Sequence, residues 1–197
     1  MREMIKMVIV LTLLSCCSGG LLAAVQSNTQ ERIDNQVLKF VQGPAIEEIM
    51  VGADNNPIRD RFTIDIEDTE KDFFVGVYDG KPNVVAFETK AGGYSGDVGI
   101  MVAVNVETGK IQGISATKHT ETPGVGARVE DDEDFKNQFN GLPIGAEPQV
   151  EKDGGDIMPM SGATITSQAV CKAVQRAGDV YEKVESTIKD KISTFSG

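Results

Sequence analysis

Residues 7–25 carry no charged side chain and follow Arg2 and Lys6. At about 1.5 Å per residue a helix over this run reaches roughly 28 Å, close to the hydrocarbon thickness of a bilayer. The two basic residues keep the N-terminus on the cytoplasmic side, with Glu3 weakening that bias slightly, so the rest of the chain lies outside. Three fates compete for the run. It is a retained single-pass anchor in the cell (inner) membrane, a signal peptide ending at Ala23-Ala24, or a lipoprotein site with Cys16 acylated. Leu14 directly before Ser15 fits the last pattern poorly, and the retained anchor is the reading taken. The chain then divides into an anchor at 1–27, a helical lead-in at 28–57 and an extracytoplasmic domain at 58–197.

At 197 residues the chain suits one domain plus a short extension. Its net charge of −11 excludes nucleic acid as a partner, because phosphate backbones demand clustered Lys and Arg. Cys16 and Cys17 lie in the apolar run, so Cys171 is the one thiol left in the folded part. It supports neither a disulfide framework nor a zinc site and reads as a packing or surface residue.

Residues 28–42 predict a helix with an apolar stripe of Ile33, Val37, Phe40 and Val41, ended by Gly43-Pro44. A short helical or irregular piece follows at 46–50. Residues 59–66 alternate Phe62, Ile64 and Ile66 with polar neighbours, the period-2 pattern of a half-buried strand. Further strands are expected at 73–78, 84–90, 100–106 and 111–117, the last two joined as a hairpin by Glu107-Thr108-Gly109-Lys110. The acidic run at 130–134 reads as a solvated entrance to a short helix at 135–139, where carboxylates favour the dipole. A final helix is marked by Val170, Ala173, Val174, Ala177, Tyr181, Val184 and Ile188. The fold class is α+β: a twisted antiparallel sheet with flanking helices, plus one N-terminal transmembrane helix.

Ser161-Gly162-Ala163-Thr164-Ile165-Thr166-Ser167 stands directly before that final helix pattern. The first N–H groups of a helix have no internal partner, and the dipole adds partial positive charge there. Gly162 lets the main chain approach an anion, and Thr164, Thr166 and Ser167 can cap the helix or contact the anion. An ordinary N-cap and a phosphate site both fit. Gly92-Gly93-Tyr94-Ser95-Gly96 offers glycines for close approach to a flat ligand and a ring to cover one face. His119-Thr120-Glu121-Thr122-Pro123-Gly124-Val125-Gly126 places a carboxylate and a hydroxyl beside a fixed bend. His119 alone reads as a structural hydrogen-bonding residue rather than an acid or base, and metal ligation by it is excluded.

Ser161-Gly162-Ala163-Thr164 resembles the flavinylation motif of the FMN-binding domain family, whose last threonine carries FMN through a phosphoester bond. The resemblance puts that bond on Thr164. The His119 stretch resembles the family's His-x-Glu-Thr-Pro-Gly-Leu-Gly signature, with Val125 in place of leucine, and the glycine-tyrosine loop precedes it in the family's order. Together the motifs cover about residues 91–173. Length, single apolar segment and motif order resemble the G-type subunits of Rnf electron-transport complexes, with C-type subunits of sodium-translocating NADH:quinone reductases second. The family often carries an aspartate three residues before the first motif hydroxyl; here that position is Met158, with Asp156 two residues earlier.

The resemblance implies covalent FMN, with contacts from Gly93, Tyr94, His119, Glu121, Thr122, Gly124, Ser161, Gly162, Ala163 and Thr166. It implies no catalytic residue and no metal site in the chain itself. A separate flavin transferase would attach the cofactor, and other membrane subunits of an Rnf-type complex would exchange electrons with it. The expected activity is that of an electron-transfer subunit of a ferredoxin:NAD oxidoreductase coupled to sodium or proton transport. Two other readings remain: an anchored module binding a phosphorylated ligand at the same helix mouth, and a flavin reductase with loosely held FMN.

Overall fold

The computed structural model describes residues 2–67 and 69–195. The chain divides into two units, one ending at Phe40 and one beginning at Val41. The first is helix α1 (Arg2–Val37), whose segment Arg2–Ser27 is long and apolar enough to cross a membrane. A π-helical turn, Leu38–Gln42, follows it. The expected helix at 28–42 is therefore not a separate element, because α1 runs unbroken from the apolar segment to Val37. Nor do Gly43-Pro44 end a helix; they open α2 (Gly43–Ile49). In a first turn proline loses no hydrogen bond, and its fixed φ already suits the helix.

The second unit is built on five strands: β1 (Arg61–Ile66), β2 (Thr69–Tyr78), β3 (Lys81–Gly92), β4 (Asp97–Asn105) and β5 (Lys110–Ala116). Each pairs antiparallel with its neighbour in the chain, giving the order β1-β2-β3-β4-β5. Helix α4 (Thr164–Ile192) packs on β3 and β4, and α2 packs against β4 and β5. The α+β expectation holds.

Two helical covers explain why the central strands are buried on both faces. Val85, Phe87, Ile100, Val102 and Val104 share a core with Ala173, Val174, Ala177 and Ile188 of α4. Ala86, Met101 and Ala103, one position out of phase, are buried as well, as are Ile46 and Ile49 of α2. Along 100–104 branched and unbranched apolar residues alternate, and both sets are buried. Burying a Phe or Val side chain contributes about 1.5–3 kcal/mol, so this double-sided core is the main source of stability. Thr89 fits into it because its Oγ1 donates to the Ala173 carbonyl at 2.8 Å.

The acidic run serves a helix entrance, as expected. Asp132 caps α3 (Glu133–Asn137) by accepting from the Phe135 N–H at 3.1 Å. Lys136 is 4 % exposed and bonds Glu48 of α2 and, at 2.7 Å, Glu133. Burial opposes its charge but the two carboxylates outweigh that effect and hold its pKa above the ordinary value.

Cys171 is buried in the core, and burial pushes its thiol up to about 11. At neutral pH the folded chain should therefore resist alkylation, since the thiolate is the reactive form. Maleimide labelling of Cys171, followed by mass spectrometry, is expected to track unfolding in urea; labelling at a free-thiol rate in native buffer would contradict this packing.

Candidate functional site

Helix α4 starts without a side-chain cap. Its N-cap is Ala163, which makes none, and Thr164 is the first helical residue. The expectation that Thr164, Thr166 or Ser167 caps the helix is corrected. Ser167 instead donates from its hydroxyl to the Ala163 carbonyl and accepts from the Met160 N–H, both at 3.0 Å. Thr166 donates to Glu121 Oε2 at 2.6 Å. The first helical hydrogen bond runs from the Ser167 N–H to the Ala163 carbonyl at 2.9 Å. The N–H groups of Thr164, Ile165 and Thr166 thus have no protein acceptor among the described residues, the arrangement an anion completes. Gly162, directly before this start, has φ +78°, a left-handed backbone that a side chain would strain by about 1–2 kcal/mol.

A cavity of about 530 Å³ opens at this helix mouth. Its walls are Tyr94 from the β3–β4 loop; Glu121, Thr122, Val125 and Gly126 from the bend after β5; Lys152; and the stretch from Gly162 to Thr166. Of the Ser and Thr hydroxyls at 161–167, only Thr164 both lines the cavity and lacks a hydrogen-bond partner among the described residues. Thr166 and Ser167 are buried and committed, and Ser161 lies outside the lining.

The three motifs meet at Glu121, which is 5 % exposed. Its Oε1 accepts from the Ser95 N–H at 3.0 Å and its Oε2 from the Thr166 hydroxyl at 2.6 Å. One carboxylate therefore ties the tyrosine loop, the proline-glycine bend and the start of α4 together. Gly126 is small for this reason: a Cβ there would stand 2.6 Å from Glu121 Oε2 and 2.8 Å from Thr166 Oγ1. Gly93 presses on the other oxygen, where a Cβ would lie 2.5 Å from Oε1.

Tyr94, Glu121, Thr122, Gly162, Ala163, Thr164 and Thr166 are brought to one cavity, whereas Gly93, His119, Gly124 and Ser161 do not line it. His119 braces the bend from behind. Its Nδ1 accepts from the Glu121 N–H at 3.3 Å, which places the ring proton on Nε2, and Nε2 donates to Glu130 at 2.8 Å. Both acceptor oxygens of Glu121 are engaged within the protein, so it positions the site more than it offers ligand contacts.

Two contributions were not expected from sequence. Lys152 brings an exposed cation to the wall from a 3-10 turn, Glu151–Asp153, that Gln168 of α4 holds through Asp153 at 2.6 Å. Val125 and Ile165, 40 % and 48 % exposed, add an apolar rim beside Tyr94. A lysine in an irregular stretch has no pattern to mark it. Met158 is 62 % exposed, while Gln138 grips its backbone, accepting from the N–H at 2.7 Å and donating to the carbonyl at 3.0 Å.

The chain is similar to known proteins. A model of the FMN-binding domain family matches residues 93–179, from the tyrosine loop into α4. The G-type subunit of the ion-translocating oxidoreductase complex from Shewanella oneidensis is 32 % identical over 89 % of this chain and 88 % of its own length. The chain belongs to this G-type family. The counterpart in Methanosarcina acetivorans is also 32 % identical, over 93 % of this chain and 97 % of that protein. Among solved structures, the C-type subunit of the Na⁺-translocating NADH-quinone reductase from Parabacteroides distasonis superposes with a TM-score of 0.51 at 26 % identity. That match spans 59 % of this chain and 63 % of the other. NqrC from Shewanella oneidensis gives 0.53 at 21 % identity over 70 % of this chain and 72 % of that one, a likeness of fold. This G-type chain thus shares its sheet and helix arrangement with the C-type proteins.

Proposed function

We propose that this chain is a membrane-anchored flavoprotein subunit that holds FMN on Thr164 through a phosphoester bond. In this reading it passes electrons within an Rnf-type ferredoxin:NAD oxidoreductase coupled to sodium or proton translocation. The observation that carries the proposal is Thr164 itself, an uncommitted hydroxyl at an uncapped helix start inside a cavity of about 530 Å³. That volume falls within the roughly 300–1,000 Å³ of small-molecule sites.

The residues present fit FMN. The open N–H groups of α4 and the Lys152 ammonium suit a phosphodiester, which keeps one negative charge beside the positive end of the helix dipole. The Tyr94 ring, Val125 and Ile165 offer apolar surface to the flat ring system, and the Thr122 hydroxyl a hydrogen bond to its polar edge. Bound flavin supplies the one- and two-electron redox chemistry. The chain fixes the cofactor, aims it and sets the dipoles around it; none of its own side chains is asked to act as acid, base or nucleophile.

Threonine is a weak nucleophile, so attachment calls for a flavin transferase. Thr164 Oγ1 loses its proton and bonds the phosphorus of the FMN half of FAD, the pyrophosphate bond breaks, and AMP leaves. With Arg2 and Lys6 inside, the Arg2–Ser27 segment as a retained anchor would hold the domain on the extracytoplasmic face. Protein made with export and a flavin transferase should gain a mass equal to FMN less one water. Its flavin fluorescence should persist after denaturation. An unmodified mass under those conditions would overturn the covalent reading, and flavin released on denaturation would reassign the chain to loosely held FMN.

A further inference from the structure

His119 is the chain's only histidine, and it stands behind the flavin cleft rather than in its lining. Its side chain is 10 % exposed and is held at both ring nitrogens. Nε2 donates to the Glu130 carboxylate at 2.8 Å, and Nδ1 accepts from the Glu121 N–H at 3.3 Å. The two bonds ask different things of the ring. Nε2 carries its proton in this neutral tautomer and in the charged imidazolium alike, so Glu130 stays bonded in either state. Nδ1 can accept from Glu121 only while it is bare. Protonation puts a second N–H there, facing the Glu121 N–H, and that bond is lost.

The bond that depends on protonation is the one beside the cleft. Thr122, which lines the cavity, follows Glu121 directly. Beyond it the bend is fixed, because the Thr122 carbonyl accepts from the N–H groups of Val125 and Ala127 at 3.1 and 3.2 Å. Before it, across residues 119–121, the Glu121 N–H makes the one main-chain hydrogen bond among the described residues. The Glu121 carboxylate, held by the Ser95 N–H and the Thr166 hydroxyl, fixes the side chain but not the peptide plane ahead of it.

The charges around the ring are few. Glu130 is its only ion-pair partner among the described residues. Lys136 donates to the Glu130 carbonyl at 2.9 Å, and its own charge is met by Glu48 and Glu133. Lys118, next to His119 in the chain, is exposed.

We propose that His119 is a positioning residue for the flavin: neutral, it fixes the Glu121–Thr122 peptide segment against the polar edge of the cofactor, and protonated it lets that segment go. The inference rests on the flavin reading of the cleft. Imidazole changes charge between about pH 8 and pH 5, where no other unperturbed side chain does, so an inflection in that range can be traced to this one residue.

The test uses the full chain in detergent, matured with a flavin transferase and isotope-labelled for NMR, and follows it across that range. The Glu121 amide should shift with the same midpoint as the His119 ring protons. Its protection against hydrogen exchange should fall roughly two- to tenfold, the factor of one lost hydrogen bond. Absorbance and fluorescence of the oxidised flavin should change at that midpoint too. His119→Asn keeps an acceptor in the place of Nδ1 and cannot be charged. Its amide and flavin signals should stay flat, with the melting temperature at each pH showing that it is folded. A Glu121 amide indifferent to the ring's titration would overturn the proposal from wild-type protein alone, whether or not the variant folds. So would a flavin signal that stays flat while the amide moves, or a flavin inflection that persists in His119→Asn. A chain of unmodified mass would instead remove the flavin reading, and this inference with it.

Discussion

Thr164→Ala is expected to give a folded, membrane-bound chain that carries no covalent flavin. Thr164 Oγ1 has no hydrogen-bond partner among the described residues, so its removal should cost less than about 0.5 kcal/mol, as for ordinary surface substitutions. Flavin fluorescence in the denatured band should be lost entirely. Thr166→Ala should do the reverse. It keeps the acceptor hydroxyl but leaves a buried Glu121 oxygen unpaired, a loss of about 1–3 kcal/mol, with flavin still attached to the fraction that folds. Comparing melting temperature with in-gel fluorescence for the two variants separates the roles. Retained covalent flavin in Thr164→Ala would move the linkage to another residue and remove the main support for the functional reading.

The second large effect should come from Glu121→Ala. The substitution removes two charge-assisted hydrogen bonds, each worth about 1.5–3 kcal/mol, from a group that is 5 % exposed. With about 2–4 °C of melting temperature per kcal/mol for a chain of this size, a fall of roughly 10 °C follows. Attachment at Thr164 should drop too, because the tyrosine loop and the start of α4 lose their common tie. Glu121→Gln is the milder test. Its amide oxygen still accepts from Ser95, and the Thr166 hydroxyl can turn to accept from the amide N–H, so most of the stability should return. If Glu121→Ala melts like wild type, the carboxylate does not hold the site together.

The strands and final helix were legible because their signals are local. Turn residues and apolar spacing bracket each of them, and the hairpin pairs strands that are neighbours in the chain. What stayed hidden depends on contacts far apart in sequence. Nothing in residues 100–106 announces that α2 will cover a second face of β4. Gly43-Pro44 carries the same two letters whether a helix ends there or begins. At the site, residue types marked the motifs but not the division of labour among them. Glu121 reads as a ligand contact in sequence; its partners, Ser95 and Thr166, lie on segments that only folding brings near. Lys152 gave no signal at all, being one more surface lysine until the 3-10 turn sets it at the cavity wall.

The meander has a consequence for when the flavin can be loaded. Each strand finds its partner among residues just synthesised, so the sheet can assemble progressively as the polypeptide emerges. Thr164, however, opens the last helix, and that helix closes the hydrophobic layer over β3 and β4. Nearly the whole polypeptide must emerge before the hydroxyl is framed, so the proposed attachment of flavin would be a late step of biogenesis and a checkpoint on completed chains.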